Sequence, residues 1–307
     1  MTQTTNNVLM IRPVRFTYNT QTAESNSFQN EALIEDAENT QKKALKEFDT
    51  MVQALRKEGI NVNVIEDTPE PHTPDSIFPN NWISFHQNND IILYPMQAEN
   101  RRLERRNDII TTLQKTYQVN EVIDFSHYEK ENKFLEGTGS LILDRENKIA
   151  YCCLSPRANQ DLLKEFGEKM QYKMIVFDAL DRQNKPIYHT NVVMCMGDKF
   201  GVICLDCVPD KTQKQNIIDI FKETNKELIE ISFEQLENFA GNMLQLKTNQ
   251  NSTILVMSER AFKSLENTQI EKISKYTKIF HSPLYTIENN GGGSARCMIA
   301  EIFLQEK

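Results

Sequence analysis

Apolar and polar positions along this chain follow two periods in alternation. Over residues 30–58, Leu33, Ala37, Ala44, Phe48, Met51, Val52 and Leu55 recur at mixed three- and four-residue spacing, the pattern of an amphipathic helix. Further helical patterns fall at 99–117, 159–169, 211–225 and 259–274. Between them lie short β-rich runs at 62–65, 90–94, 140–143, 149–154, 174–177, 192–196, 200–205, 228–232, 243–247, 253–257 and 298–304. The least regular segment is 68–81, TPEPHTPDSIFPNN, whose four prolines forbid a helix or a central strand.

Four of these runs form hairpin-like pairs: ISFHQNNDIILYP, SLILDRENKIAYCCL, VVMCMGDKFGVICL and MLQLKTNQNSTILVMS. Each joins two apolar strands through a short polar turn. They begin near 83, 140, 192 and 243, and one more step reaches SARCMIAEIFL near 295. Each unit reads strand, strand, helix, strand. The expectation is five similar αβ modules in one closed domain covering residues 1–307, an α/β propeller with pseudo-five-fold symmetry. The fifth module lacks a C-terminal hairpin partner, which the strand at 8–11 can supply, closing the ring.

The repeat places Asn81, Glu136, His189, Asn242 and Cys297 just before or at the start of successive hairpins. In a five-fold propeller these points converge near the axis, where strand ends make a natural site. Six of the ten glycines, Gly137, Gly139, Gly241 and Gly291 to Gly293, flank them, allowing close backbone approach to a ligand.

Composition narrows the classes. The net charge is −8, with 35 Lys and Arg against 43 Asp and Glu. That argues against nucleic acid, whose phosphates call for clustered cations. No apolar run approaches a membrane span, and MTQTTNNVLMIRPVRF lacks the basic and apolar regions of a secretory signal, so a cytoplasmic protein is expected. Five of the six cysteines sit in apolar runs, which suits reduced thiols packed as small hydrophobes. Cys204 and Cys207 form a lone CxxC with no second pair or nearby His, a weak metal signal.

Cys297 alone reads as a buried structural thiol. The preceding glycine-rich loop, whose N–H groups can stabilise a thiolate, makes it the candidate nucleophile. His189, at the mouth of an apolar strand, is the candidate general acid and base, and Glu136 the carboxylate that orients its ring.

The segments FLEGTGS, YHTNV, FAGNML, SPRAN and NGGGSARCM together resemble the motifs of the guanidine-modifying superfamily, the pentein fold. That group includes arginine deiminases, dimethylarginine dimethylaminohydrolases and amidinotransferases. The PDSIFPNNW segment with LYPMQAENRRLERR is most similar to the bacterial citrulline-hydrolase branch. The resemblance implies a five-bladed α/β propeller, Cys297 as nucleophile, His189 as acid and base, and Glu136 as its partner. It further implies that Asp75 is an acidic residue of the substrate loop and Phe78 an aromatic wall over the planar group. Arg157 corresponds to an arginine holding the substrate α-carboxylate, assisted by Arg101 or Arg102.

One departure bears on the substrate. Where relatives carry carboxylates, this chain has Asn80, Asn81 and Asn191. A cationic guanidinium is best met by carboxylates, whereas a neutral ureido group suits amides, which donate to its oxygen and accept from its N–H groups. The sequence therefore points to a cysteine-dependent hydrolase of citrulline, giving ornithine, carbon dioxide and ammonia. Asp75 with Asn81 would fix the planar group and Arg157 the amino-acid end, with Asn242 at the same hub. No metal or organic cofactor is required, and the expected partner is a small amino-acid substrate, not nucleic acid or a membrane. The alternatives are an amidinotransferase, an arginine or dimethylarginine hydrolase, and a propeller-type binding protein without catalysis. Oligomeric state is left open.

Overall fold

The computed structural model describes residues 2–29 and 36–307. Leu33 and the start of the helix expected at 30–58 fall outside the described residues. The helix is described from Ala37 to Lys57, where the Asp36 side chain accepts from the Asn39 N–H. That bond satisfies one of the donors left open at a helix start. Its buried stripe of Ala44, Phe48, Met51, Val52 and Leu55 packs on Val8, Met10 and Val62.

Among the described residues the strands form five sheets of three strands each. In each, an antiparallel hairpin is followed by a helical crossover to a strand parallel with the hairpin's second strand. Ile83–Phe85, Ile91–Leu93 and Val122–Asp124 make one blade. The next is Ile142–Asp144, Ile149–Cys153 and Lys173–Phe177. Met194–Met196, Phe200–Ile203 and Glu227–Glu230 form the third. Leu244–Lys247, Thr253–Ser258 and Lys278–Ser282 form the fourth. The fifth joins the chain ends: Ala300–Ile302 pairs antiparallel with Asn7–Arg12, which runs parallel to Asn61–Glu66. This is the five-bladed α/β propeller that the repeat predicts, closed by the N-terminal strand. The first strand of every hairpin is buried along all or nearly all of its length. Each is buried even where it carries a polar residue, as at Ser84, Asp144, Gln245 and Glu301.

The structure corrects several boundaries. The helix expected over 99–117 is two helices, Glu99–Arg102 and Asn107–Thr116. The intervening turn drives Arg101 and Glu104 inward as a buried pair and leaves Leu103 half exposed. The strand expected from 140 begins at Ile142, behind a single-turn helix, Gly137–Ser140. That expected from 192 begins at Met194, behind the single-turn helix Thr190–Val193. Tertiary bonds override β propensity there: Thr190 Oγ1 accepts from the Cys153 N–H and donates to the Ser140 carbonyl. Two crossover-end strands, Val122–Asp124 and Lys278–Ser282, were not among the β-rich runs; both carry polar residues on their exposed faces.

Candidate active site

The two single-turn helices place the chemistry. Glu136 caps the start of Gly137–Ser140, and His189 caps the start of Thr190–Val193. Each side chain leaves the chain where an inner strand is about to begin, so both face the axis. His189 Nε2 lies 2.8 Å from Glu136 Oε2. Glu136 Oε1 accepts from the Gln97 N–H at 3.0 Å. The backbone must pass unusually close here. Gly137 has φ +43°, and a Cβ on it would stand 2.3 Å from the Asn80 carbonyl oxygen. Only glycine fits this conformation without strain.

Cys297 follows the triple glycine. Its sulfur accepts from Asn191 Nδ2 at 3.2 Å and Asn242 Nδ2 at 3.3 Å. Asn242 also donates to the Asn191 carbonyl and accepts from the Arg296 N–H. It thus buckles the cysteine loop to the helix that His189 caps. The Phe78 ring lies against the glycine run, so close that a Cβ on Gly293 would stand 3.0 Å from it and 3.2 Å from the Cys297 Cβ.

Asp75 Oδ2 accepts from Asn19 Nδ2 at 2.7 Å and Thr22 Oγ1 at 3.3 Å, while Oδ1 is buried without a partner. Arg157 Nη2 donates to Ser25 Oγ at 2.7 Å and the Thr22 carbonyl at 3.3 Å. Its Nη1 is 3.5 Å from Glu136 Oε2, its guanidinium lies over the Tyr188 ring, and its Nε has no partner. Arg101 bonds Glu104, Asn81 and the Phe78 carbonyl. Arg102, by contrast, is turned outward onto the Met96 and Gln97 carbonyls.

The nine predicted site residues are therefore gathered in one place, and each is no more than 3% exposed. Their cover is the segment 19–29, which the sequence analysis did not single out. Asn19, Thr22 and Ser25 reach Asp75 and Arg157, and Asn26 and Gln29 hold the carbonyls of Asn290 to Gly292. Its sequence, NTQTAESNSFQ, is polar and aperiodic, so no local signal marks this role. Glu104, buried and accepting from Arg101 Nε and Nη2, likewise carries no local signal. Outside this cover, a cleft of about 760 Å³ lined by Gln21, Ser25, Gln97, Ala98, Pro156 and Pro186 adjoins the contacts to Arg157 and Glu136.

Burial sets the protonation states. Desolvation pushes His189 down to about 4, overcoming the upward pull of Glu136, so the imidazole is neutral at pH 7. Desolvation works against the Glu136 carboxylate, but Arg157, His189 and Arg101 outweigh it and hold its pKa well below the usual range. Desolvation raises Asp75. With Nε2 turned to an ionised Glu136, the neutral ring carries its proton on Nε2 and presents a basic Nδ1. The arrangement offers a thiol, a base with its orienting carboxylate, and amide donors on the sulfur, the requirements of covalent catalysis at a planar carbon. Among the described residues no group of three His, Cys, Asp or Glu side chains could hold a metal ion. All six cysteines are free and buried, and Cys207 Sγ donates to the Cys204 carbonyl.

Solved structures of the same fold include ArgZ, an arginine dihydrolase from the ornithine–ammonia cycle in cyanobacteria. It shares 18% identity with this chain, with a TM-score of 0.75, over 96% of this chain and 40% of ArgZ. The N-terminal domain of ArgZ, bound to substrate, matches at 18% identity and TM-score 0.74 over 96% of this chain and 97% of the domain. The dimethylarginine hydrolase of Pseudomonas aeruginosa, complexed with citrulline, matches at 16% identity and TM-score 0.66, over 96% of this chain and 98% of that one. This chain thus spans less than half of full-length ArgZ. No curated protein sequence matches it. The family profile described as N,N dimethylarginine dimethylhydrolase, eukaryotic, covers residues 12–304. With that profile running from the first strand of the propeller to the last, the chain belongs to the N,N-dimethylarginine dimethylhydrolase family, a family of hydrolases.

Proposed function

We propose that this chain is a cysteine-dependent hydrolase of a small amino acid with a planar terminal group, and that its substrate is citrulline. Residues 1–307 act as one catalytic domain in this reading, supported by the blade that joins Asn7–Arg12 to Ala300–Ile302. The observation that carries the substrate choice is the set of groups around the sulfur. Asn191 and Asn242 donate to it, and Asn81 stands beside the His189 ring. Amides suit a neutral ureido group better than a cation.

His189 Nδ1 takes the Cys297 proton and the sulfur attacks the ureido carbon. The C–N bond breaks, and the departing nitrogen carries away the proton from His189. A water then loses a proton to His189, cleaves the sulfur–carbon bond and releases a carbamic acid, which gives carbon dioxide and an amine. Cys297 recovers its proton, and the products are ornithine, carbon dioxide and ammonia. Glu136 stabilises the transient imidazolium. The unpartnered Asp75 Oδ1 suits the N–H groups of the planar end, and the unpartnered Arg157 Nε the α-carboxylate of the substrate.

The test is ammonia and ornithine release from millimolar citrulline with no acceptor amine added, abolished by Cys297→Ser. Turnover that needs an added amine would make the chain an amidinotransferase. The family itself favours a second reading, a guanidino substrate. A folded enzyme that releases product from arginine or dimethylarginine and none from citrulline would establish that reading instead.

A further inference from the structure

Arg101 commits its guanidinium to fixed partners. Nε and Nη2 donate to the two oxygens of Glu104 at 2.8 and 3.0 Å, and Nη1 donates to Asn81 Oδ1 at 2.8 Å. A guanidinium has donors and no acceptor. The Asn81 amide therefore has one permitted sense, with its oxygen towards Arg101 and its nitrogen away. That nitrogen donates to Asn80 Oδ1 at 3.0 Å, which fixes the second amide in turn. Asn80 Nδ2 is left over, buried and without a partner. The line from Arg101 through Asn81 to Asn80 is thus one-way and ends in an unpaired donor.

The line runs beside the chemistry. A Cβ on Gly139 would stand 2.4 Å from Asn81 Nδ2 and 2.8 Å from His189 Nδ1. The Asn80 carbonyl sits over Gly137 and accepts from Thr138 Oγ1, next to Glu136. Arg101, which the family resemblance would have assist at the α-carboxylate, here donates to Glu104 and to the Asn81 amide.

We infer that Asn80 Nδ2 is the donor that receives the oxygen of the substrate's planar group, with Arg101 and Glu104 as the positioning pair that sets its sense. The inference rests on the citrulline reading. A ureido group offers an oxygen that accepts. A guanidinium offers only N–H groups around its carbon and meets Asn80 donor to donor. Selection therefore comes from the direction of a hydrogen bond as well as from charge, and burial makes the mismatch costly.

The test uses the Cys297→Ser chain, which binds without turnover, titrated calorimetrically with citrulline and with arginine. The readout is the ratio of the two affinities in each protein, which a misfolded fraction does not alter. The parent is expected to favour citrulline. Asn80→Asp keeps the shape and replaces the terminal donor by an acceptor. It is expected to lower the citrulline-to-arginine ratio by on the order of 10²-fold. Asn80→Leu removes the donor without adding charge, and should lower the ratio by about tenfold or more. Arg101→Lys still only donates and keeps the ratio within about threefold. The paired Arg101→Gln/Glu104→Gln change, whose amides can donate or accept, lowers it about tenfold. A parent that prefers citrulline, with a ratio unmoved by both Asn80 changes, overturns this inference alone. A parent that binds arginine and not citrulline overturns the substrate reading and this inference together.

Discussion

Replacing Glu136 by Gln keeps the side-chain shape and removes one charge. The carbonyl of the new amide can still accept from the Gln97 N–H, as Oε1 does now at 3.0 Å. Its NH₂ then faces His189 Nε2 across the 2.8 Å contact. Two donors cannot face each other, so the imidazole must move its proton to Nδ1. The basic lone pair is then turned away from the reacting groups. The transient imidazolium also loses a charge-assisted bond between two groups that are each no more than 2% exposed. Such bonds contribute about 1.5–3 kcal/mol, and general acid–base catalysis as a whole contributes on the order of 10²- to 10⁴-fold. The expected fall in kcat is about 10³-fold. The pH profile gives an independent sign. Glu136 pulls the His189 pKa upward against desolvation, so its neutralisation moves the pKa below its present value of about 4. The acid limb of kcat/KM must move to lower pH, not higher. Initial ammonia release from citrulline across pH, with circular dichroism to confirm folding, measures both. A kcat within about threefold of the parent, or an acid limb displaced upward, refutes the assignment of Glu136 as the orienting carboxylate.

Gly137→Ala places a methyl group 2.3 Å from the Asn80 carbonyl oxygen at φ +43°. Because that neighbour is backbone, stability should fall by about 2–4 kcal/mol; an unchanged urea midpoint would mean the loop yields freely. Asn242→Ala removes hydrogen bonds to the Arg296 N–H, the Asn191 carbonyl and the Cys297 sulfur. A loss of about 2–4 kcal/mol and slower iodoacetamide alkylation of Cys297 are expected, and an unaltered alkylation rate would deny the amide a role at the sulfur. His189 is held neutral, with its folded pKa depressed from 6.5 to about 4. Acid therefore protonates the unfolded chain first, and stability present above pH 6.5 is lost as pH falls towards 4, by about 3 kcal/mol. Comparing urea midpoints at pH 7 and 4.5 for the parent and His189→Gln isolates this contribution, and equal losses in the two would contradict it.

The repeat was legible because largely apolar hairpin strands alternate with polar turns at a nearly constant step. Once the step is recognised, the residues that open each hairpin become the hub, which is why Asn81, Glu136, His189, Asn242 and Cys297 could be picked from one sequence. The single-turn helices after Glu136 and His189 were not legible. Thr190, Val192 and Val193 favour strand locally, and only bonds from Cys153 and to Ser140 decide otherwise.

Local chemistry along the chain settled the blade pattern, the closure by the first strand and the set of candidate reactive side chains, since periodicity and residue type are written into consecutive positions. The tertiary structure decided which atoms of those side chains are occupied and which are left open. Asn26 reaches a carbonyl 265 residues away, Ser25 meets Arg157, and Arg101 orients two amides 20 and 21 positions earlier. Directional bonds between distant segments carry no spacing rule, so the sense of each amide and the ring nitrogen left free on His189 exist only once the blades have closed.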